Sequence, residues 1–171
     1  MAVKNTLTKG LTLIFSVGIC LLVGSLFSYH TLPGAIAWYT NPNLQKAAFS
    51  LPLDVFSSIW LVSFVLMGIT LYLILQSGIR KHEVTPGFLL FALQILLLVG
   101  WSYSFFWMQS VFLAFIAILA VWAILLCAII QIFRFSVIGG LPLIPYFLWI
   151  TYLVYFNYGI MVLNNMTFKI L

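Results

Sequence analysis

Long apolar runs separated by short polar intervals occupy nearly the whole chain. A membrane-spanning helix needs about 20 mostly apolar residues. Five segments reach that length, at residues 11–29, 55–75, 88–106, 111–133 and 141–163. The first follows Lys4 and Lys9, the basic start of a signal peptide. It runs long for such a segment and no clean A-x-A site follows, so it reads as a span. From Val84 to Phe133 no Lys, Arg, Asp or Glu follows Glu83. One continuous helix of that length, rising about 1.5 Å per residue, would overrun a hydrocarbon layer of about 30 Å. The chain must turn back, and Trp107-Met108-Gln109-Ser110 is the predicted turn. Residues 30–54 form the longest polar interval, with His30, Pro33, Gly34, Asn41, Pro42, Asn43, Gln45, Lys46 and Pro52. Its Pro and Asn residues predict a loop, and a loop of this length is uncommon unless it covers a site. The pattern therefore predicts an all-α fold: residues 1–171 as one five-helix transmembrane domain, with residues 30–54 as a lid.

Composition places the outer surface in lipid. Of 171 residues, 65% are hydrophobic and only 5% charged, where a soluble domain carries about 25%. The net charge of +5 does not point to nucleic acid, because the cations are scattered singly and no aromatic-basic patch collects them. They carry topology instead. Five spans put Lys4, Lys9, Arg80, Lys81 and Arg134 on the N-terminal side, against Lys46 and Lys169 on the other. The excess predicts a cytoplasmic N-terminus and an external first loop. Cys20 and Cys127 fall inside apolar runs without metal-ligand spacing, and read as small buried hydrophobes.

Little else in the chain can do chemistry. Asp54 and Glu83 stand at opposite membrane edges and His30 and His82 in different intervals, so no catalytic constellation or metal site is predicted. No ionisable group falls within a span, which argues against a charge-driven pump. What remains lies on helix faces. Trp60, Phe64, Met67 and Gly68 share one; Gln94, Leu98, Trp101 and Phe105 share a second; Trp149, Leu153, Phe156, Asn157, Ile160 and Asn164 share a third. Such faces either pack against one another, with Gln94 and Asn157 bonding between helices, or line an aromatic ligand pocket. Tyr29, Trp38, Tyr39 and Trp107 also suit a membrane-interface belt.

The order of these residues carries a resemblance. Pro145-Tyr146-Phe147-Leu148-Trp149, then Asn157-Tyr158 and Asn164, resemble the PYLxW…LNY…N signature of the translocator protein/tryptophan-rich sensory protein (TspO/MBR) family. Gln94, Trp101-Ser102 and Phe105-Phe106 are similar to its QLxLNxxWSxxFF. Val55-Phe56-Ser57-Ser58-Ile59-Trp60 with Met67-Gly68 resembles VFxxVW…MG, and Trp38-Tyr39 with Pro42 and Pro52 resembles the first-loop WY…KP…PP. There are departures: Leu98 replaces a helix-three Asn, Tyr103 the Pro of WSP, Phe64 a Tyr, and Val162 stands where the sterol motif has a basic residue. They suggest a divergent member of bacterial type, in the cell membrane, and weaken the case for a sterol as partner.

The resemblance implies five helices around a pocket closed by the first loop, binding porphyrins or similar flat ligands, often as a homodimer. Its ligand-binding residues here would be Tyr39, Trp60, Phe64, Gln94, Trp101, Phe105, Trp149, Leu153 and Asn157. No cofactor is required, the tetrapyrrole being the ligand. Stacking on Trp60, Trp101 and Trp149 suits a large π-face, with Gln94 and Asn157 supplying polar contacts. Porphyrin degradation has been proposed for the family and is contested; Trp60 and Trp149 match the tryptophans implicated. With no acid, base or metal in the bundle, binding, sensing or tetrapyrrole transport is expected rather than catalysis. The alternatives are a small-molecule transporter of another class and a structural membrane subunit.

Overall fold

The structure, a computed structural model, describes residues 2–46 and 49–164. Within the first helix it describes the side chains of 7–26, 34, 36, 37 and 39. The elements are α1 (Ala2–Tyr39), α2 (Leu53–Ser77), α3 (Thr85–Ser102), a π-helical turn (Tyr103–Trp107), α4 (Val111–Phe135), the single turn α5 (Val137–Gly140) and α6 (Leu143–Leu163). The described residues contain no strand and five helical segments long and apolar enough to cross a membrane. The fold is an all-α, five-helix membrane bundle. Its outer face agrees: Ile14, Phe15, Leu22, Leu61, Leu96 and Leu148 are all at least 60% exposed. Each would cost on the order of 1.5–3 kcal/mol against water, and lipid removes that cost.

The helices form a ring. α1 packs along α2, α2 against α6, α6 against α4 and α4 along α3, while the π-helical turn after α3 reaches α1. Small residues set the closest approach. A Cβ on Gly68 would lie 2.5 Å from the Val17 Cα, and one on Gly24 would lie 2.4 Å from the Phe64 ring. These two glycines let α1 lie flush on α2, the usual device where lipid provides no hydrophobic drive between helices. On the other side Trp122 of α4 donates its indole N–H to Thr151 of α6 at 3.0 Å.

Two expectations need correcting. Residues 30–39 are helix rather than loop: α1 runs through Pro33 and Gly34 to Tyr39 and ends with the Thr40 N–H on the Ile36 carbonyl at 2.9 Å. A proline removes one helical hydrogen bond, and the apolar segment Ala35–Tyr39 continues the helix beyond it. The connection to α2 is therefore residues 40–52. The interval 134–140, left between the predicted spans 111–133 and 141–163, is helical except at Ser136, whose side-chain oxygen accepts from the Gly139 N–H at 3.0 Å and caps α5. The turn at 107–110 is shortened by the π-helix. Met108 N–H reaches back to the Tyr103 carbonyl at 3.0 Å, and Gln109 takes a φ of 52°. The side chains of Lys4 and Trp38 and the tail beyond Asn164 lie outside what the structure describes.

Candidate functional site

Helical spacing delivers aromatic residues from three helices to one place. On α2, Phe56, Trp60 and Phe64 succeed one another at intervals of one turn; Trp60 stacks on Phe64 with centroids 5.7 Å apart. Trp60 also meets Trp101 of α3 at 5.9 Å and Trp149 of α6 edge-on at 6.0 Å. Phe56 lies 5.2 Å from Trp149 and 6.1 Å from Phe156. Trp149 stacks on Tyr152 at 5.0 Å, and Phe105 on Trp101 at 5.6 Å. The three tryptophans singled out by spacing are thus in mutual contact through Trp60.

The π-helical turn explains one contact that helical spacing alone does not produce. Phe105 and Phe106 are adjacent, and adjacent residues on an α-helix diverge by about 100°. Here both reach Trp101, Phe105 stacked and Phe106 edge-on at 5.9 Å. The bulge re-aims the chain at the place where Tyr103 replaces the family proline, and kinks arise from either cause.

Below the rings sits a polar layer. The Gln94 side chain donates to the Met67 sulfur at 3.5 Å and accepts from the Tyr146 hydroxyl at 3.0 Å, joining α2, α3 and α6. Asn157 accepts from the Trp101 indole at 3.3 Å and donates to the Leu153 carbonyl at 2.9 Å. Gln94 and Asn157 are fully buried, so both amides are engaged in joining helices and are not the free ligand contacts expected of them. One buried donor in the ring cluster is unmatched: Trp149 is 6% exposed and its Nε1–H has no acceptor.

The first loop covers this end of the bundle. Tyr39, at the end of α1, packs on Phe156 at 6.0 Å and donates its hydroxyl to the Leu51 carbonyl at 3.2 Å. Burial holds that phenol above the usual tyrosine range, so it remains a donor at neutral pH. Tyr152 donates to the Phe49 carbonyl at 3.2 Å and accepts from the Leu51 N–H at 3.3 Å. Asn164 grips both polar groups of Gln45, accepting its N–H at 2.9 Å and donating to its carbonyl at 2.8 Å. The Lys46 ammonium lies 4.3 Å from the centre of the Tyr39 ring.

Of the nine residues selected from sequence, Tyr39, Trp60, Phe64, Trp101, Phe105 and Trp149 are joined by ring contacts, directly or through Phe56 and Phe156. Asn157 joins them through Trp101, Leu153 is buried one turn before Asn157, and Gln94 belongs to the layer beneath. Phe56, Phe106, Tyr152 and Phe156 complete the cluster. Phe56 and Tyr152 were open to detection, standing four residues before Trp60 and three after Trp149. A shallow groove lined by Asp54, Val55, Ser58, Ile59 and Val62 shares none of these rings.

Comparison with known proteins agrees with this architecture. The TspO/MBR family model matches residues 16–163. The chain is 36% identical over 154 residues to the tryptophan-rich protein TspO of Chlorobaculum tepidum, covering 90% of this chain and 96% of that one. It is 28% identical to the tryptophan-rich protein TspO of Archaeoglobus fulgidus, covering 90% and 97%. To the protein CrtK of Rhodobacter capsulatus it is 23% identical, covering 82% and 83%. With the match running from within the first membrane helix to the end of the last, the chain belongs to the TspO/MBR family.

Proposed function

We propose that this bundle is a membrane receptor for a flat hydrophobic ligand of the porphyrin class, which it binds and senses rather than transforms. The observation that carries the reading is the Trp149 indole N–H, buried among rings from α2 and α6 and lacking an acceptor. Leaving a buried donor unmet costs about 1–3 kcal/mol, a cost that packing alone has no reason to retain. A ligand nitrogen or oxygen removes it, while the part-buried Trp60 ring offers a π-face to the ligand ring. Among the described residues no group of three or more His, Cys, Asp or Glu side chains gathers, and the cluster itself carries no acid or base.

The loop of residues 40–52 serves as the lid in this reading. Apart from the backbone bonds at its two ends, Thr40 N–H to the Ile36 carbonyl and Phe56 N–H to the Pro52 carbonyl, it is tied to the bundle by the side chains of Tyr39, Tyr152 and Asn164, so it can lift without unravelling a helix. The five-to-two distribution of cations supports a cytoplasmic N-terminus, which puts the lid and the aromatic cluster towards the external face.

A protoporphyrin titration followed by the porphyrin absorbance band tests the proposal. Removing one stacking indole should cost about 1–3 kcal/mol, or roughly 5- to 150-fold in affinity. Trp60→Ala and Trp149→Ala, shown first to remain folded, should weaken binding by that factor. Trp107→Ala, whose ring is 66% exposed and stacks on Tyr103, should not. Parental affinity in both folded cluster variants would remove the proposed site.

A further inference from the structure

Lys46 is placed where a ligand of purely apolar character would leave it idle. The backbone just before it is held at both polar groups of Gln45 by Asn164. Its ammonium rests on the Tyr39 ring, and that ring packs on Phe156, which touches Phe56, Phe105 and Tyr152 of the cluster. A cation is thereby anchored at the mouth of an aromatic site. A π-face balances charge but accepts no N–H strongly, so the three ammonium donors stay available to an anion. The chain has only two carboxylate side chains. Glu83 follows the far end of α2, and Asp54 is exposed beside the outer groove of α2.

We infer that the site is built for an amphiphilic anion, a flat apolar ring body bearing a carboxylate at its edge, with Lys46 pairing the carboxylate. This deepens the reading of the aromatic cluster as a ligand site and rests on it. The division of labour follows from solvation. A carboxylate taken between the helices would lose several kcal/mol of hydration, so it must remain at the mouth while the ring body stacks inside. Lys46 meets it there, at a partly hydrated rim where pairing adds specificity at modest energy. The same ammonium could instead serve the phosphate of a lipid headgroup, and the two acceptors give different results below.

The experiment compares a porphyrin dicarboxylic acid with its neutral dimethyl ester, bound to parent, Lys46→Gln and Lys46→Arg in nanodiscs of zwitterionic lipid. Lys46→Gln should weaken the acid by roughly two- to fivefold at low salt, as for a rim ion pair, and leave the ester unchanged. Lys46→Arg should bind the acid as the parent does, and the difference should shrink as salt shortens the Debye length. Equal loss for acid and ester would make Lys46 a support of the loop, and no loss for either would assign it to headgroups or water; each overturns the inference while the aromatic site stands. If the parent binds neither porphyrin, the aromatic site itself fails and the inference falls with it.

Discussion

Replacing Trp101 or Trp149 by Phe makes the same chemical change, indole to benzene, at two positions that use the indole N–H differently. At Trp101 the N–H satisfies Asn157 Oδ1 at 3.3 Å, and both residues are fully buried. Trp101→Phe strands that oxygen. Inside membrane bundles such side-chain bonds are worth about 0.6 kcal/mol on average and at most about 1.7. At Trp149 the N–H has no acceptor, so Trp149→Phe orphans nothing. Both variants lose the same ring volume and share a cavity cost, which makes each the control for the other. In detergent-titrated unfolding, Trp101→Phe should therefore fall below Trp149→Phe by about 0.6–1.7 kcal/mol. Adding Asn157→Ala should cancel most of that difference in a double-mutant cycle. Ligand binding should show a separate penalty at Trp149, since Trp149→Phe deletes the donor assigned to the ligand and should weaken porphyrin about fivefold, the equivalent of about 1 kcal/mol. Equal stability losses would refute the difference in hydrogen bonding, and full porphyrin affinity in Trp149→Phe would refute the donor's role.

Gly68→Ala should destabilise the bundle by about 1–3 kcal/mol in the same unfolding assay, because the new methyl meets the Val17 backbone at 2.5 Å and α1 must move away; an unchanged midpoint would mean that α1 is not held there. Proteolysis within residues 40–52 should slow at saturating porphyrin and quicken in Tyr39→Phe, which loses the bond to the Leu51 carbonyl; cleavage indifferent to ligand would make the loop a passive connector. The raised Tyr39 pKa means that this bond's contribution is complete below the ordinary phenol value of about 10 and is lost as pH rises through the higher folded value. An alkaline absorbance titration should accordingly lose a late phenolate in Tyr39→Phe and not an early one. Reporter fusions at residue 3 and after Leu171 should land on opposite faces of the membrane, with residue 3 cytoplasmic; the same face for both would contradict five spans.

The helix faces were readable because the apolar period of an α-helix ties residues four and three apart to one side whatever the neighbours are. Trp60 with Phe64, Trp101 with Phe105, and Trp149 with Tyr152 follow that rule in the structure. Which face meets which was not readable from period alone; the in-order family motifs supplied it. Local rules failed where a breaker was overruled. Pro33-Gly34 signalled a loop, and the apolar stretch after it carried α1 on to Tyr39. They also failed where geometry departs from the α-helix, since nothing in the period marks the π-turn that brings Phe106 beside Phe105. The amides were right as buried polar residues and ambiguous as to partner. Gln94 needed Tyr146 from α6, 52 residues away, to be recognised as a helix-to-helix bond.

The placement of α6 between α2 and α4 bears on how the molecule is made. A nascent chain reaches the membrane from its N-terminus, so four spans are present before the one that carries Tyr146, Trp149, Tyr152, Asn157 and Asn164. Until it arrives, the Trp101 indole lacks its acceptor and Gln94 lacks its hydroxyl donor. Unmet polar groups of this kind are disfavoured in hydrocarbon. An unfinished chain thus displays its incompleteness inside the bilayer, where membrane quality control can read it, and the last helix to insert switches that signal off.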